Sequence, residues 1–381
     1  MALLAGRTRG KDSVDILIID KVKKKKSLIR QVYSTSAIHS WDGIIDLSAH
    51  LEDDHDMAHS SSKKLTRKIK TYPLVSWAYA LAFGLFMARK NLALKRELLA
   101  EIRKIAPGFD PAKDAAEIYG LPGLLINKPL FSLCKNKKLS YLEHGFGDYI
   151  HLARQSEPTD FFCVFAKSYG AYLQRNHITG VVPHDYVDAR EFDQVANQLY
   201  SCTAPEQEQL DKLTDKTCVL LLLDASEPYN PPDSFWTDYI KSCIDKVKDP
   251  HKYTFLVKPH GLMSEFSQRV SYDYIRASGL RHIIFDHSST FFNMGAEIFF
   301  ARMKKKIAYV FSTFSSSIFY ISHFYPREAV CVYHYTFCSR YFQNAPPLFL
   351  AFFNDMKPFM EQVFTDPQAG IYDSALPPGL Q

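Results

Sequence analysis

Short uninterrupted apolar runs, each broken by glycine, proline or hydroxyl residues, alternate along this chain with longer amphipathic stretches. Val14–Asp20 and Gly43–Leu47 read as the first buried strands. Residues 63 to 105 read as helical, with Leu92, Leu94, Leu98, Leu99, Ile102 and Ile105 forming an apolar stripe that stops at Pro107 and Gly108. Short runs follow at Ile118–Leu121, Gly123–Ile126, Leu130–Leu133, Leu139–Leu142, Phe161–Phe165 and Gly180–Val182. Cys218–Leu223 is the most apolar run. A loop through Pro231 and Pro232 follows it, then a helix carrying Trp236, Tyr239, Ile240 and Ile244. Tyr253–Val257 is expected to end at Lys258-Pro259-His260-Gly261. Ile307–Phe311 breaks into Ser312–Ser317 and resumes as Ile318–Ile321, and Ala329–Tyr333 adds another strand. The aromatic stretch Leu348–Phe364 reads as a helix that packs back on the body. Continuous apolar strands alternating with helices argue for parallel sheets with crossover helices, the α/β class.

The polar segment Ser201–Asp215, followed by a fresh strand–loop–helix, sets the expected domains. These are an N-terminal Rossmann-like domain over 1–205, a second over 206–365 and a disordered Pro/Gly-rich tail over 366–381.

Composition narrows the function classes. At 381 residues the chain can build two cores, and 46% hydrophobic with 23% charged residues is ordinary for a globular protein. Rings are plentiful, with 28 Phe and 22 Tyr, which suits clefts that stack on bases or sugars. The net charge of +5 is uneven: Lys21, Lys23–Lys26 and Lys63, Lys64, Arg67, Lys68 and Lys70 are clustered. They form either solvated faces or a rim facing an acidic glycan or a phospholipid surface. They lack the interleaved aromatics of a nucleic-acid module. The seven cysteines show no CxxC spacing and sit in apolar contexts, so they read as reduced thiols of a cytosolic protein. No signal peptide is read at Met1–Arg7, and the uncharged run Tyr72–Ala88 reads as a buried or interfacial helix.

Candidate chemistry gathers at three turns. Leu139–Leu142 delivers Glu143 onto a glycine turn at Gly145 and Gly147, where the backbone can bend sharply and a carboxylate can serve as general base. The alternative is a plain turn carboxylate. His260 follows one strand and Ser315, Ser316 and Ser317 follow another. Hydroxyls and free N–H groups at a helix start, with a cationic side chain nearby, suit a phosphate. Helix capping is the bland reading of the serines. Asp54-His55-Asp56 matches a bare D-x-D metal pattern, but it lies in an acidic loop rather than at a strand end.

Taken in order, Glu143-His144-Gly145, His260 and Ser315-Ser316-Ser317 resemble the bacterial polysialyltransferases and related sialyltransferases. Those carry an acidic-acidic-glycine motif, a His-Pro motif and a serine pair. Asn293–Phe299 is similar to the segment before their serine strand. Here His144 stands at the second acidic position, and the proline, Pro259, precedes His260 while Gly261 follows it. The resemblance implies two Rossmann-like domains facing a central cleft (the GT-B arrangement) and inverting transfer from CMP-sialic acid to a glycan hydroxyl. It implies Glu143 as base, His260 and Ser315–Ser317 on the CMP phosphate, and Gly145 and Glu297 in donor binding, Glu297 on the ribose. No metal and no cofactor is expected beyond the nucleotide sugar. The acceptor expected is an acidic glycan or glycolipid, with peripheral membrane contact through the basic segments. A transferase for another CMP-activated acid sugar such as Kdo, and a silent glycan-binding protein, are the competing readings.

Overall fold

The computed structural model describes residues 16–19, 43–46, 88, 91–104, 110–115, 118–122, 127–134, 139–143, 145–154, 158–199, 205–224, 234–261, 263–313, 315–326, 328–334, 347–364 and 371–373. The basic clusters before Lys70, the Asp54–Asp56 triplet, the run at 72–87 and His144 lie outside them. Among the described residues no helix is long and apolar enough to cross a membrane. Contacts divide the chain into two units. The first comprises Met1–His144, His151–Cys163 and Thr179–His184; the second comprises Gly145–Ile150, Val164–Ile178 and Asp185–Gln381.

In the first unit, β1 (Ile16–Ile19) and β2 (Gly43–Asp46) form a parallel pair. A separate sheet runs β3 (Ile118–Gly120), β4 (Leu139–Leu142), β5 (Thr159–Cys163) and β6 (Val181–Asp185) in sequential order. β3–β4 and β4–β5 are parallel. Of the stretch read as helical, 91–104 is described as helix α1, which buries Leu94, Leu98 and Ile102 on one face while Leu92 stays exposed; apart from Ala88, the rest of that stretch lies outside the described residues. Short helices α2 (Pro111–Asp114) and α3 (Asn127–Leu133) complete the described part.

The second unit is built on a six-stranded sheet: β7 (Cys218–Leu223), β8 (Thr254–Pro259), β9 (Arg281–Ile284), β10 (Ile307–Ser312), β11 (Val330–Tyr333) and β12 (Ile371–Asp373). Every pairing is parallel, and the spatial order is β12-β11-β10-β7-β8-β9. Counted within this sheet the order is 3-2-1-4-5-6 read from the β9 edge, the doubly wound Rossmann order. Two interior strands, β7 and β8, are buried at every position. That is why their sequences are continuous rather than alternating.

Helices of this unit are α4 (Phe146–Ala153, through Ile150), α5 (Ala166–Arg175), α6 (Ala189–Leu199), α7 (Pro205–Asp211), α8 (Phe235–Lys246), α9 (Glu265–Ala277), α10 (Ala296–Met303), α11 (Ser317–Phe324) and α12 (Pro347–Phe364). One sheet face packs Val219, Leu221, Phe255 and Val257 against Trp236, Tyr239 and Ile240 of α8 and Tyr272 and Ile275 of α9. Because strand side chains alternate, Leu222 and Lys258 point to the other face.

Aromatic contacts explain why the units do not divide at a single point near 205. Phe146 stacks on Phe319 at 4.1 Å, Tyr149 on Phe359 at 4.6 Å, and Tyr169 meets Phe359 at 5.5 Å. The α12 ring thus holds α4 and α5 in the second unit, and Phe192 of α6 stacks on Phe324 at 4.6 Å. Two local expectations are corrected. The tail expected to be disordered after residue 365 contains β12, which pairs with Cys331–Tyr333 through the β-forming Ile371-Tyr372. β8 runs on through Lys258 and Pro259, because Pro259 sits opposite Leu223 at the strand end, and the next N–H, that of His260, donates to Leu223 O at 2.6 Å.

The α9 start shows an N-cap that the apolar pattern does not reveal: Ser264 Oγ accepts from Ser267 N at 3.1 Å. Ser264→Ala is expected to lower unfolding free energy by about 1 kcal/mol, measured by urea titration. An unchanged midpoint would mean the cap contributes nothing.

Candidate functional site at the sheet switch point

In the second unit the strand order reverses between β7 and β10. Ligands of open α/β sheets bind outside the carboxyl ends of strands at such a point. The residues leaving these two strands are Asp224 and Thr313. Asp224 Oδ2 accepts from Thr313 Oγ1 at 2.6 Å and from Ser315 N at 2.9 Å. Ser315 N is shared with Ser312 Oγ at 3.1 Å. Asp224, Ser312 and Thr313 are buried, so the Thr313–Asp224 bond forms away from water, while the bonds of Ser315 N are part-buried. Beyond them the chain turns into α11, with Ser317 N donating to Ser315 Oγ at 3.3 Å.

The predicted donor-binding residues of this unit lie on the elements that leave this edge. Glu297, in the first turn of α10, accepts from Ser317 Oγ at 2.6 Å. The single hydroxyl proton of Ser317 is therefore engaged with a carboxylate. Gly295 is the N-cap of α10, and a Cβ there would sit 2.9 Å from Glu297 Oε1. The carboxylate is thus folded back over the glycine. Gly295→Ala is expected to displace it while the melting temperature moves little, since only the end of a flexible side chain must yield; if this edge holds a nucleotide, as the sequence leads one to expect, that binding should weaken severalfold. Calorimetric titration with CMP beside a thermal melt checks this; unchanged affinity would mean the carboxylate position is irrelevant to the ligand.

Gly145 also belongs here. A Cβ on it would lie 3.5 Å from Ser316 Oγ. Gly145 N donates to Asp148 Oδ2 and Asp148 N to Gly145 O, both at 3.0 Å, so the turn is a helix start closed on itself. Neither Gly145 nor Gly147 uses a left-handed φ; among the described glycines that conformation falls at Gly279. The sharp bend expected from glycine freedom is replaced by an ordinary cap.

His260 is exposed just past β8, its carbonyl accepting from Met263 N at 2.9 Å. Two residues earlier, Lys258 is buried, and its Nζ donates to the carbonyls of Phe291 at 2.9 Å and Phe292 at 3.2 Å. Those carbonyls belong to the 3-10 turn Thr290–Asn293. Burial pushes the ammonium down from its ordinary 10.5 to about 8, against the opposing pull of the Glu297 charge. Neither Asp224 nor Lys258 is among the site residues that the sequence predicts. Their signal was position: each is a charged residue at the carboxyl end of a wholly apolar run.

In the first unit, Glu143 directly follows β4 and is fully buried, with its N–H donating to Phe162 O of β5 at 3.0 Å. A hollow of about 480 Å³ elsewhere in the second unit, beside Asp185, Tyr186, Asp188, Glu191 and His323, contains none of the predicted residues. Its Asp188 and Glu191 carboxylates each accept the other's backbone N–H at 2.8 and 3.2 Å. Among the described residues no group of His, Cys, Asp and Glu has the makings of a metal site, and the five described cysteines are buried free thiols.

No protein-family model matches the sequence, and no curated protein is significantly similar to it. Among solved structures, the α,α-trehalose-phosphate synthase (UDP-forming) of Burkholderia vietnamiensis is similar over 95% of this chain and 96% of its own, at 10% identity and a TM-score of 0.43. A likeness that faint carries no argument about fold or activity.

Proposed function

We propose that this chain is an inverting glycosyltransferase that moves sialic acid from CMP-sialic acid to a hydroxyl of an acidic glycan or glycolipid. The observation that carries the reading is the switch point of the second unit's sheet. There a hydroxyl-rich turn, Ser312–Ser317, follows one strand, and the neighbouring strand end supplies Asp224, which pins that turn. Serine hydroxyls at a helix start are suited to a phosphate. His260, leaving β8, supplies a proton or positive charge for the departing CMP phosphate. Glu297, beside Ser317, has a carboxylate that can also accept from ribose hydroxyls. Glu143, delivered by β4 two residues before Gly145 in the chain, takes the proton of the acceptor hydroxyl as the new bond forms. In this reading these residues supply the charge stabilisation without a metal. The protein would act in the cytoplasm, with basic segments that reach an anionic membrane face.

CMP release from CMP-sialic acid, with and without an oligosialic acceptor, tests the reading. Acceptor-dependent release supports it. Release from CMP-Kdo alone would change the sugar. CMP binding without any turnover would make the chain a silent binder, and neither binding nor turnover would sink the nucleotide-sugar reading.

A further inference from the structure

The carboxylate of Asp224 is the least expected group at a place read as an anion site. A negative charge buried beside a phosphate would repel it, so its presence needs a reason. The geometry supplies one. Two donors, Thr313 Oγ1 at 2.6 Å and Ser315 N at 2.9 Å, converge on the same atom, Oδ2. Thr313 is the first residue past β10 and Asp224 the first past β7, and these strands are direct neighbours in the sheet. One oxygen therefore ties the exits of the two switch-point strands together.

The consequence runs along the turn. With Ser315 N drawn inward to Asp224 and Ser312 Oγ, the next N–H in the chain of bonds, that of Ser317, is received by Ser315 Oγ. Ser317 Oγ is in turn held by Glu297. Ser315 and Ser316 are thereby set at one fixed height above the sheet edge. Without the Asp224 oxygen, the buried Thr313 hydroxyl would lose a partner and the part-buried Ser315 N–H one of its two acceptors, and the turn would move to recover them.

We propose that Asp224 is a positioning residue for phosphate recognition: it acts through the geometry of a single accepting oxygen that sets the Ser315–Ser316 turn, and not through its charge. This inference rests on the reading of the turn as the phosphate site of a nucleotide.

The test follows from the convergence on one oxygen. An asparagine amide oxygen has two lone pairs and can receive both donors, so Asp224→Asn keeps the anchor and removes the charge. Asp224→Ala removes both. CMP and cytidine are titrated calorimetrically against wild type and each variant, with thermal melts alongside. The turn would touch the phosphate alone, so the ratio of CMP to cytidine affinity reports on it, and a general folding defect would lower both affinities together. Asp224→Ala is expected to cut that ratio at least tenfold. Asp224→Asn is expected to hold it within about threefold of wild type, or to raise it because a like charge is gone. Equal loss in both variants would overturn the proposal by showing that the charge itself matters; so would an unaltered ratio in Asp224→Ala. If wild type binds CMP no better than cytidine, the phosphate reading of the turn fails first and this inference falls with it.

Discussion

Glu143→Gln is expected to lower acceptor-dependent CMP release by about 10² to 10⁴-fold, the usual contribution of a positioned general base. CMP affinity should change less than threefold. Gln matches Glu in length and shape but cannot take a proton at pH 7, so the substitution separates basicity from packing. That separation matters because Glu143 is fully buried at the end of β4, where its own N–H is held by Phe162 O. Truncation to alanine would leave a void and blur the result. His260→Ala gives the contrasting pattern: a group on the departing phosphate should lose turnover and CMP affinity together. Initial rates beside calorimetric titration of CMP distinguish the two. Turnover of Glu143→Gln within threefold of wild type would remove Glu143 from the chemistry.

Motif order along the chain supports these roles, and parts of the fold are legible in the sequence in the same way. Wholly apolar runs bounded by breakers marked β7 and β8 clearly, since a parallel central strand covered on both faces has no polar alternation to hide it. The edge strand β9, Arg281-His282-Ile283-Ile284, and the helix α9 before it escaped the pattern. A half-exposed edge strand mixes polar with apolar residues, and α9 presents many polar side chains. Local chemistry did mark them, through the Ser264 cap and through Gly279 in the left-handed conformation just past the helix end. The tail strand β12 was obscured by the prolines after it, although three residues sufficed to pair with β11.

The site divides in the same way. Hydroxyls and histidine at strand ends are conspicuous, so Ser315–Ser317 and His260 could be named from residue type and spacing. What organises them is not local in sequence. Asp224 lies 91 residues before Ser315, and their bond exists only because β7 and β10 are neighbours in the sheet. Likewise Ser317 and Glu297, 20 residues apart, could each be suspected as ligand groups, but not that one already holds the other. Residue type reveals candidate ligand groups; strand order decides which of them are partners.

At Lys258 that distinction has a thermodynamic consequence. Its aliphatic stem continues the apolar run of β8, but its alternation places the ammonium under the 3-10 turn, against the Phe291 and Phe292 carbonyls. Desolvation lowers it to about 8 from 10.5, only partly offset by Glu297. A neutral amine still has two N–H donors, enough for both carbonyls, so proton loss leaves the anchor intact. The sign of the pH dependence follows. Below pH 8 the group is charged in both the folded and the unfolded chain, and its burial costs about 3 kcal/mol. Between pH 8 and 10.5 the folded chain releases the proton while the unfolded chain keeps it, so the unfolded state binds more protons and stability rises with pH. Lys258→Met has no such group. The difference in unfolding free energy, wild type minus Lys258→Met, is therefore expected to grow by about 2 kcal/mol from pH 7.5 to pH 10. Other tyrosines and lysines titrate in both proteins and largely cancel in the difference. Urea unfolding of the two proteins at several pH values measures it. A flat difference would mean that the ammonium keeps its water, and Lys258 would then be no anchor of the turn that leads into Gly295 and Glu297.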